Sequence, residues 1–149
     1  MKRFIKVAVI VILALVILIY PAVFITNNMI ADSLEKELKG YDPPESSELI
    51  DSLSIAGKYT GSGNGMQYLG VVLIKSELSL EEIKVHYSNS GNIVVYEQAD
   101  ENIGFLDRPS GHRFKDFDAD DGKHYAVALW GHIESDFIRV ILDSDLRGH

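Results

Sequence analysis

The chain has 149 residues and a formal net charge of −8, which allows one domain of modest size. Residues 1–40 carry five Lys or Arg against three Asp or Glu, whereas residues 41–149 carry nine against nineteen. The net charge of the downstream part is therefore near −10, and a negative surface repels nucleic acid and anionic lipid head groups. The sequence contains no cysteine, which excludes disulfides, thiolate zinc sites, cysteine nucleophiles and a cysteine-linked lipid anchor.

An uncharged apolar run occupies residues 7–25, directly after the basic residues Lys2, Arg3 and Lys6. As a helix, these nineteen residues measure roughly 28 Å, close to the ~30 Å hydrocarbon thickness of a bilayer. Fourteen of the nineteen are Val, Ile, Leu or Phe, and together they favour insertion by roughly 4–8 kcal/mol. The sequence therefore predicts a transmembrane helix within residues 1–26.

A cleaved signal peptide is the alternative interpretation of this segment, with Pro21 as a residue at which its apolar region would end. Signal peptides have apolar regions of about 7–15 residues, followed by small residues at the cleavage site. Here the run is longer, and the A-x-S form at Ala31 and Ser33 lies several residues too far along. We therefore favour an uncleaved signal anchor.

The basic residues also predict an orientation. Three of them precede the span together with the α-amino group, and only Lys36 and Lys39 follow it closely. Because basic flanks stay on the cytoplasmic side, we expect the N-terminus in the cytoplasm and the residues after the span outside the cell membrane.

Residues 27–44 form a juxtamembrane segment. Met29, Ile30, Leu34 and Leu38 fall at helical spacing, Gly40 is a suitable C-terminal stop, and the prolines in YDPP break the helix. The sequence predicts an amphipathic helix that continues from the membrane, followed by a proline linker. Three surfaces suit its apolar stripe, namely its own domain, the bilayer surface and a second copy of the helix.

From residue 45 onward the pattern predicts an α+β domain. Leu53 and Ile55 alternate with serines as in a half-buried strand, and residues 68–74 are apolar on both faces as in a central strand. Strand patterns recur in NIVVYE, HRFKDF, HYAVALW and DFIRVILD. The predicted layout, β-β-α-β-β-β, is a small, mostly antiparallel sheet with one helix packed on a face.

The helix of this layout has a well-marked beginning in SELSLEEIKVHYSNSG. Ser79 is the expected cap, Glu82 completes the S-x-x-E capping box, and Leu78 is placed to pack on Ile83. Gly91 follows the expected end of the helix.

The glycine-rich stretch TGSGNGMQY, residues 60–68, resembles a phosphate-binding loop only in its glycines. Such loops precede a helix, and the Walker pattern requires Lys followed by Ser or Thr, whereas Met66 and Gln67 stand here before a strand. We therefore predict a hairpin turn, in which Gly61, Gly63 and Gly65, with Asn64, provide the positive φ angles that the turn requires.

The most suggestive stretch for metal chemistry is DFDADDG. Asp116, Asp118 and Asp120, with Asp121 beside them, follow the first, third and fifth positions of a calcium loop. The glycine then comes one place late, and Val127 stands where a bidentate glutamate belongs. A solvated acidic turn is the favoured interpretation, and a weak Ca²⁺ contact by these four aspartates is the alternative.

The sequence predicts neither a catalytic site nor a cofactor. No serine occurs in G-x-S-x-G, and no Ser or Thr is tied by spacing to a base. We expect a non-enzymatic, extracytoplasmic accessory or protein-interaction domain with a protein partner and no nucleic acid. The alternative is a ligand- or Ca²⁺-responsive module, with a hydrolase less favoured. Candidate contact residues are those of the 29–38 stripe and an exposed tip, that is Met29, Leu34, Leu38, Asn64 and Met66.

Two stretches, AGKYTGSGNGMQYLGVVLIKSELSLEE (residues 56–82) and DLRGH (residues 145–149), resemble a family of bacterial proteins. Its members are short, signal-anchored membrane proteins, chiefly clostridial, and the likeness includes the layout of a span followed by a domain. The resemblance implies a bacterial cell-envelope protein. It implies no activity, ligand or catalytic residue.

Overall fold

The computed structural model describes residues 2–59, 65–106, 111–133 and 135–146. A long helix comes first, a four-stranded antiparallel sheet follows, and two short helices accompany the sheet, as the predicted α+β class requires. In chain order the elements are α1 (Lys2–Lys39), β1 (Ser47–Gly57), β2 (Gln67–Ser76), α2 (Leu80–Tyr87), β3 (Ile93–Gln98), β4 (His124–Gly131) and α3 (Asp136–Leu142).

The strand order in the sheet is β1-β2-β4-β3, and every neighbouring pair is antiparallel. The apolar run predicted as a central strand is β2, which lies between β1 and β4 and is buried from Tyr68 to Ile74. β1 and β2 form a hairpin whose last pair is Gly57 and Gln67. The glycine-rich stretch therefore connects two antiparallel strands, as predicted, although residues 60–64 themselves lie outside the described residues. The positive φ predicted for Gly65 is wrong, because among the described glycines only Gly91, Gly111 and Gly122 have one.

The two faces of the sheet carry separate apolar clusters. On one face, Val72, Ile74 and Val127 pack with Leu38 of α1 and Ile83 of α2. On the other face, the segment between β3 and β4 covers the sheet with buried side chains that include Ile103, Leu106 and Phe114. α1 is thus part of the domain's packing, although the sequence assigned residues 27–44 to a juxtamembrane helix and linker outside it.

α2 begins as the sequence predicts. The backbone N–H of Ser79 donates to Oε2 of Glu82 at 2.8 Å, and the Ser79 hydroxyl accepts from the Glu82 backbone N–H, which completes the capping box. Ile83 and Tyr87 point into the core, and Gly91 follows with φ +74°, a value that favours glycine.

Two of the predicted strands are wrong. DFIRVILD contains α3, because Ser135 caps a helix by accepting from the Ile138 N–H and the polar residues Asp136, Arg139 and Asp143 fall at helical spacing. HRFKDF makes only an isolated bridge between Arg113 and Asn102. After this bridge the backbone does not continue a strand ladder. The N–H of Phe114 donates to the carbonyl of Glu101, and the N–H of Lys115 donates to the side-chain carboxylate of Asp51.

Candidate functional site

Two parts of α1 have opposite environments. The side chains of residues 7–22 are exposed apart from the half-buried Ala8, and Ile17 and Leu18 are 70% and 62% exposed. Residues 27–39 instead contact the sheet, where Ala31 and Leu38 are buried. Among the described residues, α1 is the one helix long and apolar enough to cross a membrane. It passes through Pro21 without a break.

The packed part of α1 approaches the sheet at Gly70 in the centre of β2. A Cβ atom at this position would collide with the backbone of Leu34 and Glu35, so the helix rests directly on the strand. Two side-chain hydrogen bonds add to this contact, from Ser52 of β1 to Glu35 at 2.6 Å and from Ser54 to Asp32. The part of α1 that follows the apolar segment is therefore held in close contact with the sheet.

A buried polar network lies where the two parts of α1 meet. Nδ2 of Asn27 donates to Oδ2 of Asp145 at 2.8 Å and to the carbonyl of Leu142 at 3.1 Å. Its Oδ1 accepts from the hydroxyl of Tyr68 at 2.7 Å. Asn27 is 0% exposed and Asp145 is 1% exposed. One helix side chain thus joins α1, β2 and the end of α3.

A second group of contacts extends this network towards the β1–β2 hairpin. The backbone N–H of Met66 donates to Oδ1 of Asp143 at 2.7 Å, and the buried Lys58 donates to the carbonyl of Asp143 at 3.1 Å. The segment after α3 is therefore fastened both to α1 and to the two ends of the hairpin connection. This end of the domain, next to the exposed apolar part of α1, is the candidate functional site.

Replacing Asn27 by leucine is expected to lower the free energy of unfolding by about 2–4 kcal/mol. The change removes three hydrogen bonds at a position that is 0% exposed, and buried polar groups that lose a hydrogen-bond partner cost about 1–3 kcal/mol each. Urea unfolding of the full chain in micelles measures the effect. Asn89→Leu is the control, since Asn89 is exposed, and an equal loss in both variants would contradict the role of the network.

The acidic turn lies at the other end of the sheet. Asp116, Asp118 and Asp120 are exposed. Within the turn, the Asp118 carboxylate accepts from the Asp120 N–H, and the Asp118 backbone carbonyl accepts from the Asp121 N–H. Asp121 pairs with Lys75 of β2 instead of joining the other carboxylates. Within the described ranges, no three His, Asp or Glu side chains converge as ligands of a metal ion. The four aspartates thus form a solvated turn with one ion pair.

The ion pair at this turn has a predictable titration. The hydrogen bond from Lys75 lowers the pKa of the Asp121 carboxyl, so Lys75→Met is expected to raise that pKa towards its ordinary value. Because the pKa of Asp121 is lower in the folded protein, the ion pair stabilises the fold at pH values above the ordinary carboxyl pKa. This contribution is lost as the pH falls through the lowered pKa and Asp121 becomes protonated. NMR titration of the carboxyl carbon measures the shift. Lys84→Met is the control, and an unchanged Asp121 pKa in Lys75→Met would refute the assignment.

The candidate contact residues do not form one surface. Met29 is 64% exposed, but Leu38 is buried in the domain and Leu34 packs against the sheet next to Gly131. Met66, which the sequence places at an exposed tip, is 9% exposed and packs with Ala31 and Tyr68. Asn64 lies outside the described residues. Of the three surfaces open to the stripe, its own domain covers most of it.

Sequence reasoning missed the polar network and α3. Asn27 does carry a signal, because residues 27, 31, 34 and 38 share one helix face and three of them are apolar. A polar residue on such a face is expected to have a buried partner. That partner, Asp145, is far along the chain, and no local pattern connects the two.

Comparison of the chain with family models, curated proteins and solved structures gives no match. The geometry of α1 and of the segments fastened to it therefore provides the evidence on function.

Proposed function

We propose that this protein is a bacterial cell-envelope protein in which α1 anchors a small α+β domain on the outer side of the cytoplasmic membrane. The observation that carries the proposal is the continuity of α1. One helix presents an exposed apolar segment of bilayer length and then, without a break, packs on the sheet. An anchor of this kind holds the domain at a fixed distance from the lipid.

The exposure of the apolar segment supports a lipid environment. A helix buried in a soluble core is covered by its own protein, whereas residues 9–22 of α1 are all exposed. Apolar surface of this extent is unfavourable in water and favourable in hydrocarbon. The basic residues that precede the segment support an N-terminus in the cytoplasm.

The proposed role of the domain is protein contact or an accessory function, and not catalysis. Its charge supports a position away from anionic lipid, since residues 41–149 carry nine basic against nineteen acidic residues. The acidic turn supports this too, because Lys75, its ion-pair partner, is seven residue steps along β2 from Tyr68, which corresponds to roughly 23 Å from the Asn27 network. Exposed apolar side chains such as Val85 on α2 and Val94 on β3 are available to a partner.

Alkaline extraction of membranes from cells that make the full chain tests the anchor. The protein is expected to stay in the membrane pellet and to enter the supernatant only with detergent. A chain that appears in the soluble fraction, shortened by a signal peptidase or intact, would overturn the proposal.

Photo-cross-linking in intact cells tests the partner. A cross-linker at Val85 or Val94 is expected to capture a second protein of defined mass. Self-products alone, or no product from either position, would count against a role in protein contact.

A further inference from the structure

α3 is a short amphipathic helix whose apolar side is open. Phe137 and Val140 are 77% and 70% exposed, and Ile138 and Ile141 are 49% and 40% exposed. Residues 136, 139 and 143 are polar and recur at helical spacing, so they share the opposite face. Four exposed apolar side chains within seven residues indicate a surface that is covered in the protein's working environment.

α3 lies at the end of the apolar segment of α1. The Leu142 carbonyl accepts from Asn27 at 3.1 Å, and α3 contacts α1 directly. Val23, one turn before Asn27 on the same face, is the only buried residue among positions 7–25. Since the apolar segment ends at residue 25, α3 is at the level where α1 leaves the apolar layer.

We propose that α3 is a second membrane contact, with Phe137, Val140 and Ile141 inserted shallowly into the outer bilayer surface beside α1. This inference rests on the proposed function, because the bilayer that α3 touches is the one that α1 crosses. The occupant of the apolar face is lipid, since α3 is fastened to α1 at the level where the apolar segment of α1 ends. The side chain of Leu142 is 4% exposed and faces the protein instead.

The residues of α3 favour an apolar contact with lipid over an electrostatic one. Its polar face carries Asp136, Arg139 and Asp143, and Arg139 already pairs with Asp136 at 3.2 Å. Interfacial helices that depend on anionic lipid have several basic residues, which α3 lacks. The contact is therefore expected to form on zwitterionic lipid as well and to persist in high salt, where electrostatic attraction is screened.

A second contact would fix the orientation of the domain. A single membrane-spanning helix leaves rotation about its own axis free, whereas α3 beside it allows only one side of the domain to face the lipid. The Asn27 network transmits this constraint, because it joins α1, β2 and the residues directly after α3.

Single-cysteine fluorescence measures the depth of α3 in the bilayer. The chain has no cysteine, so Val140→Cys, Val85→Cys and Val16→Cys each carry one environment-sensitive fluorophore. Each full-length variant is reconstituted into phosphatidylcholine vesicles that contain a lipid quencher, placed either near the head group or near the chain end. Val85 is the matched control, since it is also a helical valine that is 70% exposed.

The head-group quencher is expected to reduce the fluorescence of the position 140 probe by about twofold, with little effect on position 85. Molar salt should leave this quenching unchanged. The chain-end quencher should act most on position 16, which reports the span itself. Quenching at 16 with none at 140 would overturn the proposal and leave the anchor intact.

Two other outcomes also have defined meanings. A position 140 probe that is blue-shifted but insensitive to both quenchers would show that protein covers α3, and this too overturns the proposal. Absence of quenching at position 16 as well as at position 140 would refute the anchor on which the proposal rests.

Discussion

Gly70→Ala is expected to destabilise the domain by about 3 kcal/mol, near the upper end of the usual cost of overpacking a core. The new methyl group would collide with the backbone of Leu34 and Glu35, and a helix backbone cannot rotate away as a side chain does. α1 would have to lift from β2, which would disturb its hydrogen bonds to β1 as well.

Two other glycines provide the controls for this prediction. At Gly131 a methyl group would meet only the flexible tip of the Leu34 side chain, so Gly131→Ala should cost about 1 kcal/mol. Gly104 has open space around it, and Gly104→Ala should stay within about 0.5 kcal/mol of the wild type. Urea unfolding of the full chain in micelles, followed by fluorescence of Trp130, measures all three. Equal effects at positions 70 and 104 would contradict direct contact between helix and strand.

The double substitution Leu13→Arg and Val16→Arg is expected to abolish membrane insertion. Each arginine at the centre of a spanning helix costs about 2.5–3.5 kcal/mol on the insertion scale, so two remove most of the roughly 4–8 kcal/mol that the apolar residues provide. Leu13 and Val16 are both exposed, so the folded domain itself should be unaffected. The variant should therefore leave the membrane pellet in alkaline extraction.

Met29→Arg is the matched control for the arginine pair. Met29 is on the same helix and is 64% exposed, but it follows the apolar segment instead of lying within it. This variant should extract like the wild type. Full membrane retention of the double variant would show that the apolar segment is not what holds the protein to the membrane.

Rigid attachment is the physical property that links the fold to the proposed role. A flexible linker would let the domain sample many orientations, whereas α1 has no break between its exposed and its packed part. Two contacts hold α1 in place. Gly70 allows the α1 backbone to lie directly on β2, and Asn27 forms hydrogen bonds to Leu142 and Asp145.

Local patterns predicted most of the fold. The strand β1, the doubly apolar run of β2 and the capping box at Ser79 each depend on neighbouring residues, and all three are confirmed. The half-buried character predicted for β1 is wrong, because Ser52 and Ser54 lie against α1 instead of facing solvent. α3 was predicted wrongly although its sequence carries two helix signals, the helical spacing of Asp136, Arg139 and Asp143 and the Ser135 cap. A short segment with one polar residue among apolar ones fits a strand as well.

The candidate site was only partly predictable. Charge and hydropathy identify the apolar segment of α1, because the transfer free energy of each residue adds independently and requires no knowledge of the fold. The network around Asn27 depends instead on Tyr68 and Asp145, which the fold brings to it from 41 and 118 residues away. Burial of Met66 is of the same kind, because it results from the packing of α1 on the sheet.

The side of the membrane on which the domain lies is tested most directly by cysteine labelling in intact cells. The chain has no cysteine, so Val85→Cys on α2 and Phe4→Cys before the span each provide one exposed reactive site and leave the basic residues in place. A membrane-impermeant maleimide is expected to label position 85 in intact cells and position 4 only after lysis. Labelling of position 85 only after lysis would contradict the account.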